Sequence, residues 1–205
     1  MIKTIISILL IVAFIVAIGG GIHLYNVAQK NKYEMSKYTL AVKPNVKTGR
    51  TLVIYYSLSG YTKAIAEKIA AITKADLYEI TTAEEIEVNA AFYVKARQQL
   101  HSKQYPELAG KIPSFAKYDT IFVGGPVWWY APATPLLAFL EKADFKGKKV
   151  VPFSTQGSNY GSFFVDFERM AKNARLRPAA SFNNISDKYS VELNNKIISW
   201  VNSIR

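Results

Sequence analysis

Apolar residues run almost without interruption through the first part of the chain. The segment from Thr4 to Ile18 reads TIISILLIVAFIVAI, and its apolar character continues through three glycines to Leu24. A helix needs ~20 such residues to cross a bilayer. We therefore predict that residues 1–25 form a transmembrane anchor. The competing interpretation is a signal segment that is cleaved after small residues such as Ala17-Ile18-Gly19.

The charges that flank this segment predict its orientation. Lys3 is the only charged side chain before the apolar run, whereas four lysines and one acid follow it within residues 26–43. The positive-inside rule then places the C-terminal part in the cytoplasm, and export after cleavage is the alternative. Residues 26–50 are polar and contain Pro44 and Gly49, so we predict a basic linker that can lie against anionic headgroups.

From residue 51 onward, short apolar runs alternate with segments whose apolar residues recur at helical spacing. The predicted strands are residues 52–56, 77–80, 120–123, 150–154 and 179–182. Parallel strands need crossover connections, and strands that alternate with helices form a parallel sheet covered on both faces. We therefore predict an α/β fold over residues 51–205, with a five-stranded, doubly wound parallel sheet and an extra helix over residues 84–99.

Three loops that leave the carboxyl ends of predicted strands are rich in small, hydroxylic and aromatic residues. In a parallel sheet such loops lie at one edge, where ligands bind. The first loop is Ser57-Leu58-Ser59-Gly60-Tyr61-Thr62, and it leads into a helix. Its hydroxyls and the free N–H groups of a helix N-terminus suit a phosphate, and Gly60 permits close approach. An ordinary serine-capped helix start is the alternative.

The other two loops carry aromatic residues. The second loop is Gly124-Gly125-Pro126-Val127-Trp128-Trp129-Tyr130-Ala131-Pro132, which can form a wall for a flat ring or cover the end of the sheet. The third is Ser154-Thr155-Gln156-Gly157-Ser158-Asn159-Tyr160-Gly161, which suits a ligand or caps the next helix. Together the three loops would surround a phosphorylated planar molecule, and flavin mononucleotide (FMN) meets that description.

The same residues resemble a known family. The Ser-x-Ser-Gly-x-Thr, Gly-x-Pro-x-Trp-Trp and Thr-x-Gly-Ser-x-Tyr-Gly segments look like those of the flavodoxin-like superfamily, over residues 51–205. The resemblance implies strand order 2-1-3-4-5 and bound FMN. It assigns the phosphate to Ser57, Ser59, Gly60, Tyr61 and Thr62, one side of the flavin ring to Pro126, Val127, Trp128 and Trp129, and the other side to Thr155, Gly157, Ser158, Tyr160 and Gly161.

The resemblance leaves the reaction open. We expect a membrane-tethered redox protein that transfers electrons through bound flavin to or from a redox partner that the sequence does not identify. Flavodoxins are typically acidic, whereas this domain is mildly basic, and Trp129-Tyr130-Ala131 supplies no glycine beside the ring. These departures favour an alternative, the FMN-dependent two-electron reduction of quinones by a reduced nicotinamide cofactor. A non-enzymatic binding module with the same fold is the alternative of another class.

Charge and composition weigh against other classes of protein. The net charge is +11, but residues 1–50 hold seven basic and one acidic residue, while the remainder holds nineteen and fourteen. Because the excess is concentrated beside the apolar segment, we predict no nucleic-acid partner. The chain has no cysteine and only two histidines, so we predict no metal site. It also lacks the Gly-x-Ser-x-Gly elbow of an α/β hydrolase.

Overall fold

A long N-terminal helix, α1 (Ile2–Met35), precedes the sheet and is followed by a 3₁₀ turn, Ser36–Tyr38. The structure is a computed structural model that describes residues 2–185 and 187–204. The stretch Thr4–Tyr38 is long and apolar enough to cross a membrane, and its most apolar part is not buried against the protein. A helix that is apolar around its whole circumference is suited to lipid.

The sheet has five positions, and all of its pairings are parallel except one hairpin. Its strands are β1 (Thr51–Tyr55), β2 (Asp76–Glu79), β3 (Thr120–Trp128), β4 (Ala131–Pro132), β5 (Lys149–Gln156), β6 (Arg175–Leu176) and β7 (Ala180–Asn183). The spatial order is β2-β1-β3-β5, with β6 and β7 both beside β5, and β4 pairs only with β3. With the hairpin strand set aside and β6 and β7 counted as one interrupted strand, the predicted order 2-1-3-4-5 is confirmed.

Helices cover both faces of the sheet. They are α2 (Tyr61–Thr73), α3 (Ala90–Ser102), α4 (Thr134–Lys142), α5 (Phe163–Met170) and α6 (Ser190–Ser203). Alternate residues of β1 and β3 enter different cores: Ile54 packs with α4 and α5, whereas Val53 and Phe122 pack with α2 and α6. The middle residues of the central strands are therefore apolar on both faces of the sheet, as a sheet buried on both faces requires.

The extra helix begins later than the sequence pattern predicts. We expected it over residues 84–99, but α3 begins at Ala90. Asn89 is the N-cap, and its side-chain Oδ1 accepts the backbone N–H of Phe92 at 3.1 Å. Such a cap fixes the first turn by supplying an acceptor that the helix itself lacks.

The segment predicted as a linker lies against the domain. Helix α1 continues through Met35, which is only 3% exposed. Asn183 donates through Nδ2 to Oδ1 of Asn31 at 2.6 Å, and Lys196 forms an ion pair with Glu34. The division of the chain at residues 25 and 50 stays a prediction, but residues 31–35 of the predicted linker are helical and contact the domain.

Candidate functional site

The loop after β1 ends in a glycine with a left-handed backbone. Gly60 has φ +86° and stands directly before α2, and a Cβ added there would meet no atom within 4 Å. The space in front of the helix is therefore open. Ser57 Oγ accepts the N–H of Lys63 at 3.2 Å, and Ser59 is exposed. The first-turn N–H groups of a helix lack helical acceptors and carry the positive end of its dipole, so this loop fits a phosphate.

A buried pair of hydroxyls joins the first loop to the third. Thr62 Oγ1 and Thr155 Oγ1 lie 2.7 Å apart, and each residue is only 2% exposed. Tyr61 donates its hydroxyl to the carbonyl of Asn183, whose Oδ1 accepts Nε2 of Gln156 at 2.9 Å. These bonds fix the start of α2 against the carboxyl ends of β5 and β7. They also place Thr155 inside the protein, behind the surface on which a ligand would lie.

The second loop is a tight hairpin rather than an open loop. Strand β3 runs through Trp128, which pairs with Ala131 of β4. The two turn residues, Trp129 and Tyr130, have φ +49° and +64°. Two positive φ angles are the type I′ geometry that Asn and Gly normally supply. Bulky residues in this region cost ~1–3 kcal/mol each, and such strain is concentrated at functional sites.

The third loop and α3 hold this strained turn in place. Ser162 donates its backbone N–H to the carbonyl of Tyr130 at 2.7 Å, and its hydroxyl donates to Oδ2 of Asp166 at 2.6 Å. Trp129 Nε1 donates to the carbonyl of Tyr93 at 3.0 Å. Gly161 has φ +53°, and a Cβ there would lie 2.2 Å from the carbonyl oxygen of Tyr130. The absence of a side chain at Gly161 therefore allows the second and third loops to pack closely against each other.

A cleft of about 370 Å³ opens between the second loop, the third loop and α3. Its volume falls within the ~300–1,000 Å³ typical of small-molecule sites. The cleft is lined by five of the residues that the family resemblance assigns to the ring, which are Val127, Trp128, Trp129, Gly157 and Ser158. It is also lined by six residues outside that assignment, which are Phe92, Tyr93, Ala96, Tyr130, Gln156 and Asn159. None of these described lining residues is charged, and their aromatic rings suit a flat ligand.

Trp128 lies in the wall between this cleft and a second cavity, and its ring packs against two other aromatic rings. Its ring makes edge contacts with Tyr56, at 5.6 Å between centroids, and with Phe92, at 4.8 Å. A second cavity, of about 480 Å³, shares Trp128, Phe92 and Ala96 with the first. Burial raises the pKa of the Tyr56 hydroxyl to about 12.

Some predicted site residues lie outside the cleft. Pro126, Thr155, Tyr160 and Gly161 do not line it, nor do the residues of the first loop, which surround the separate space before α2. Tyr160 is 46% exposed and makes an edge contact with Phe164, at 5.1 Å between centroids. The aromatic pair Phe92-Tyr93 was visible in the sequence, but the long connection around it gave no signal that α3 returns to the cleft.

These features define a doubly wound α/β protein whose three loops contact one another at the carboxyl edge of its sheet, where proteins of this class bind ligands. A family model described as Flavodoxin matches residues 50–204. The chain therefore belongs to the flavodoxin family, and α1 lies outside the matched residues.

Solved structures show the same relationship. A flavoprotein from Lactobacillus acidophilus NCFM, in complex with FMN, is 29% identical with a TM-score of 0.60, and the match covers 69% of this chain and 99% of that chain. A candidate flavoprotein from Bacteroides uniformis ATCC 8492 is 30% identical with a TM-score of 0.59, covering 71% of this chain and 97% of that one. Among curated proteins, none matches this sequence significantly.

Proposed function

We propose that this protein binds FMN at the carboxyl edge of its sheet, transfers electrons through it, and is held at a membrane by α1. The observation that carries the proposal is that an open helix N-terminus and an uncharged aromatic cleft lie at the same edge of the sheet. Membership of the flavodoxin family supports it, as does the FMN complex of the Lactobacillus protein.

The residues divide into two groups by what they would hold. Ser57, Ser59 and the N–H groups at Gly60 to Thr62 would bind the phosphate through hydrogen bonds and the helix dipole. The ring would lie against the hairpin of Trp128 and Trp129 and against residues 157–159 of the third loop. Bound FMN supplies the electron chemistry, while the protein orients the ring and excludes water from it.

A two-electron variant is the second candidate. None of the described residues that line the cleft is acidic, so no carboxylate there opposes negative charge on a reduced ring. Arg97 lies over the ring of Trp129, with 5.4 Å from its Cζ to the centroid, and adds a nearby positive charge. In this variant a reduced nicotinamide gives up a hydride and is oxidised. A quinone takes up the two electrons and the proton of this hydride, together with a second proton from solvent, and becomes a hydroquinone.

A charge placed at the proposed phosphate site tests the assignment. The change Ser59→Asp puts a carboxylate where the phosphate would lie, and its repulsion should weaken FMN binding by about 10- to 100-fold, equivalent to ~1.4–2.8 kcal/mol. Riboflavin lacks the phosphate, so its affinity should change much less. Both affinities are measured by quenching of flavin fluorescence.

The matched control is Ser114→Asp, an exposed serine before the start of β3, at the opposite edge of the sheet. It adds the same charge to the protein and should leave both affinities unchanged. Equal weakening by the two substitutions, or equal losses for FMN and riboflavin, would contradict the assignment of the phosphate to the first loop. Failure of the unaltered protein to bind either flavin would contradict the proposed function itself.

A further inference from the structure

The segment before β1 runs along the domain from one edge of the sheet to the other. Near its end, the carbonyl of Thr48 accepts the hydroxyl of Thr120, at the start of β3, at 2.7 Å. Earlier in the chain, Lys30 Nζ donates to the carbonyl of Ser158, in the loop after β5, at 3.3 Å. Followed backwards from residue 48 to residue 30, the chain therefore passes from the amino edge of the sheet to its carboxyl edge, where the cleft opens.

Helix α1 then continues beyond this edge. Residues 4–24 are exposed, and at 1.5 Å per residue they rise ~30 Å, which matches the hydrocarbon core of a bilayer. Lys30 lies only ~9 Å along the helix from Leu24, where the apolar run ends. The headgroup layer adds ~5–8 Å on each side of the hydrocarbon core. Ser158 and the third loop thus lie at the outer boundary of the headgroup layer when α1 spans the membrane.

The surface around the cleft has the composition of a membrane-interface contact. Val94 is 69% exposed and lies outside the cleft, and Tyr93 and Tyr130 line the cleft but are still 54% and 63% exposed. Tyrosine is enriched at the headgroup level of membranes because its ring is apolar and its hydroxyl polar. Lys30 and Lys32 lie on the adjoining turn of α1, and lysines there are attracted to anionic headgroups.

We propose that the carboxyl edge of the sheet, with its cleft, docks on the lipid interface of the membrane that α1 spans. This inference rests on the membrane-anchoring part of the proposed function and names the surface and its partner, a bilayer with anionic headgroups. The cleft then faces the lipid, and the amino edge of the sheet faces away from it. A redox partner dissolved in the bilayer can reach the cleft without crossing bulk water.

The absence of cysteine makes a direct test simple, because any introduced cysteine is the only thiol in the chain. Asn159→Cys places a fluorescent probe on the third loop, and Ala116→Cys places the same probe before the start of β3. Both positions are exposed. Strand β3 spans ~26 Å, so the two probes lie at opposite edges of the sheet, and only the probe on the edge that docks should come close to the headgroups.

The labelled full-length chain is reconstituted in vesicles of phosphatidylcholine and phosphatidylglycerol that contain headgroup nitroxide lipids. We expect the Asn159→Cys probe to lose most of its emission and the Ala116→Cys probe to lose little. Equal quenching of the two probes, or stronger quenching at position 116, would overturn the proposal. So would failure of the chain to float with the vesicles, because α1 would then not be inserted.

FMN absorbance is measured on the unsubstituted, unlabelled chain in the same vesicles, because Asn159 lines the cleft and a probe there can itself block the flavin. Unequal quenching of the two probes, with an unsubstituted chain that takes up no FMN, would support the docking surface and contradict the flavin assignment. Equal quenching, with an unsubstituted chain that holds FMN, would do the reverse.

Discussion

The ion pair between Glu34 and Lys196 gives the sharpest prediction about how α1 is held on the domain. The side chain of Lys196 is 8% exposed and that of Glu34 is 26% exposed. Lys196 also donates to the carbonyl of Ser181 and lies 4.9 Å from the centroid of the Phe182 ring. Glu34→Gln keeps the shape of the side chain but leaves the buried ammonium without its counter-charge.

The burial of Glu34 and Lys196 determines how much unfolding free energy the Glu34→Gln substitution should cost. Breaking a buried ion pair by removing one partner costs ~3–5 kcal/mol. Glu34 is about a quarter exposed, and the carbonyl of Ser181 still accepts a hydrogen bond, so we expect a smaller loss. The free energy of unfolding should therefore fall by ~2–3 kcal/mol, less than the cost of breaking a fully buried pair, because water still reaches Glu34. Lys196→Met removes the stranded charge and should restore stability in the double variant.

Urea unfolding of the full chain in detergent micelles, followed by tryptophan fluorescence, measures this change. The matched control is Glu84→Gln, because Glu84 pairs with Lys95 at 3.9 Å while their side chains are 90% and 69% exposed. An exposed pair contributes ~0–1 kcal/mol, so the control should change little. If Glu34→Gln lowered the free energy of unfolding no more than the control does, this reasoning would be refuted, and so would the contact of α1 with α6 through this ion pair.

Two further predictions concern the site. Gly161→Ala should destabilise the fold by at least ~1–3 kcal/mol in thermal unfolding, since residue 161 has φ +53° and its new Cβ would strike the carbonyl of Tyr130. Gly157→Ala, where a Cβ meets nothing within 4 Å, is the control, and equal melting of the two variants would contradict the contact. Tyr56 has its pKa raised to about 12 by burial, against ~10 when unfolded, so its contribution to stability is complete below pH ~10 and is lost as the pH rises towards 12. Tyr56→Phe should therefore lessen the fall in unfolding free energy over this window, and an unchanged pH profile would count against that burial.

The order of the elements could be predicted because it depends on local patterns. The apolar runs of β1, β3 and β5 indicate strands buried on both faces, and the helices between them imply parallel pairing. The ends of β1 and β5 lie within two residues of the predicted ones, whereas β3 continues five residues beyond its predicted end, into the segment expected to be a loop. The interruption of the fifth strand into β6 and β7 was not visible, because it depends on separate pairings with β5.

Features that depend on long-range contacts could not be predicted. The polar composition of residues 26–50 indicates a linker, but Asn31 and Glu34 find partners in Asn183 and Lys196, which are distant in sequence. The hairpin at Trp129 and Tyr130 was also missed, since neither residue type normally adopts a positive φ. Its geometry depends on acceptors and donors in other parts of the chain.

The candidate site could be predicted from the sequence only in part. The three loops follow from the rule that ligands bind at the carboxyl ends of parallel strands, and the structure does bring them to one edge. The contribution of α3 through Phe92 and Tyr93 depends on how a long connection folds back, which no periodicity reports. The role of Thr155 depends on burial, since its hydroxyl faces Thr62 rather than the cleft.

The most direct test of the account is the visible absorption spectrum of the full chain, purified in detergent, incubated with FMN and then desalted. The account predicts that the protein keeps a flavin absorption band, and that acid extraction releases FMN in proportion to the chain. A colourless protein after this treatment would contradict the central claim that the carboxyl edge of the sheet is a flavin site.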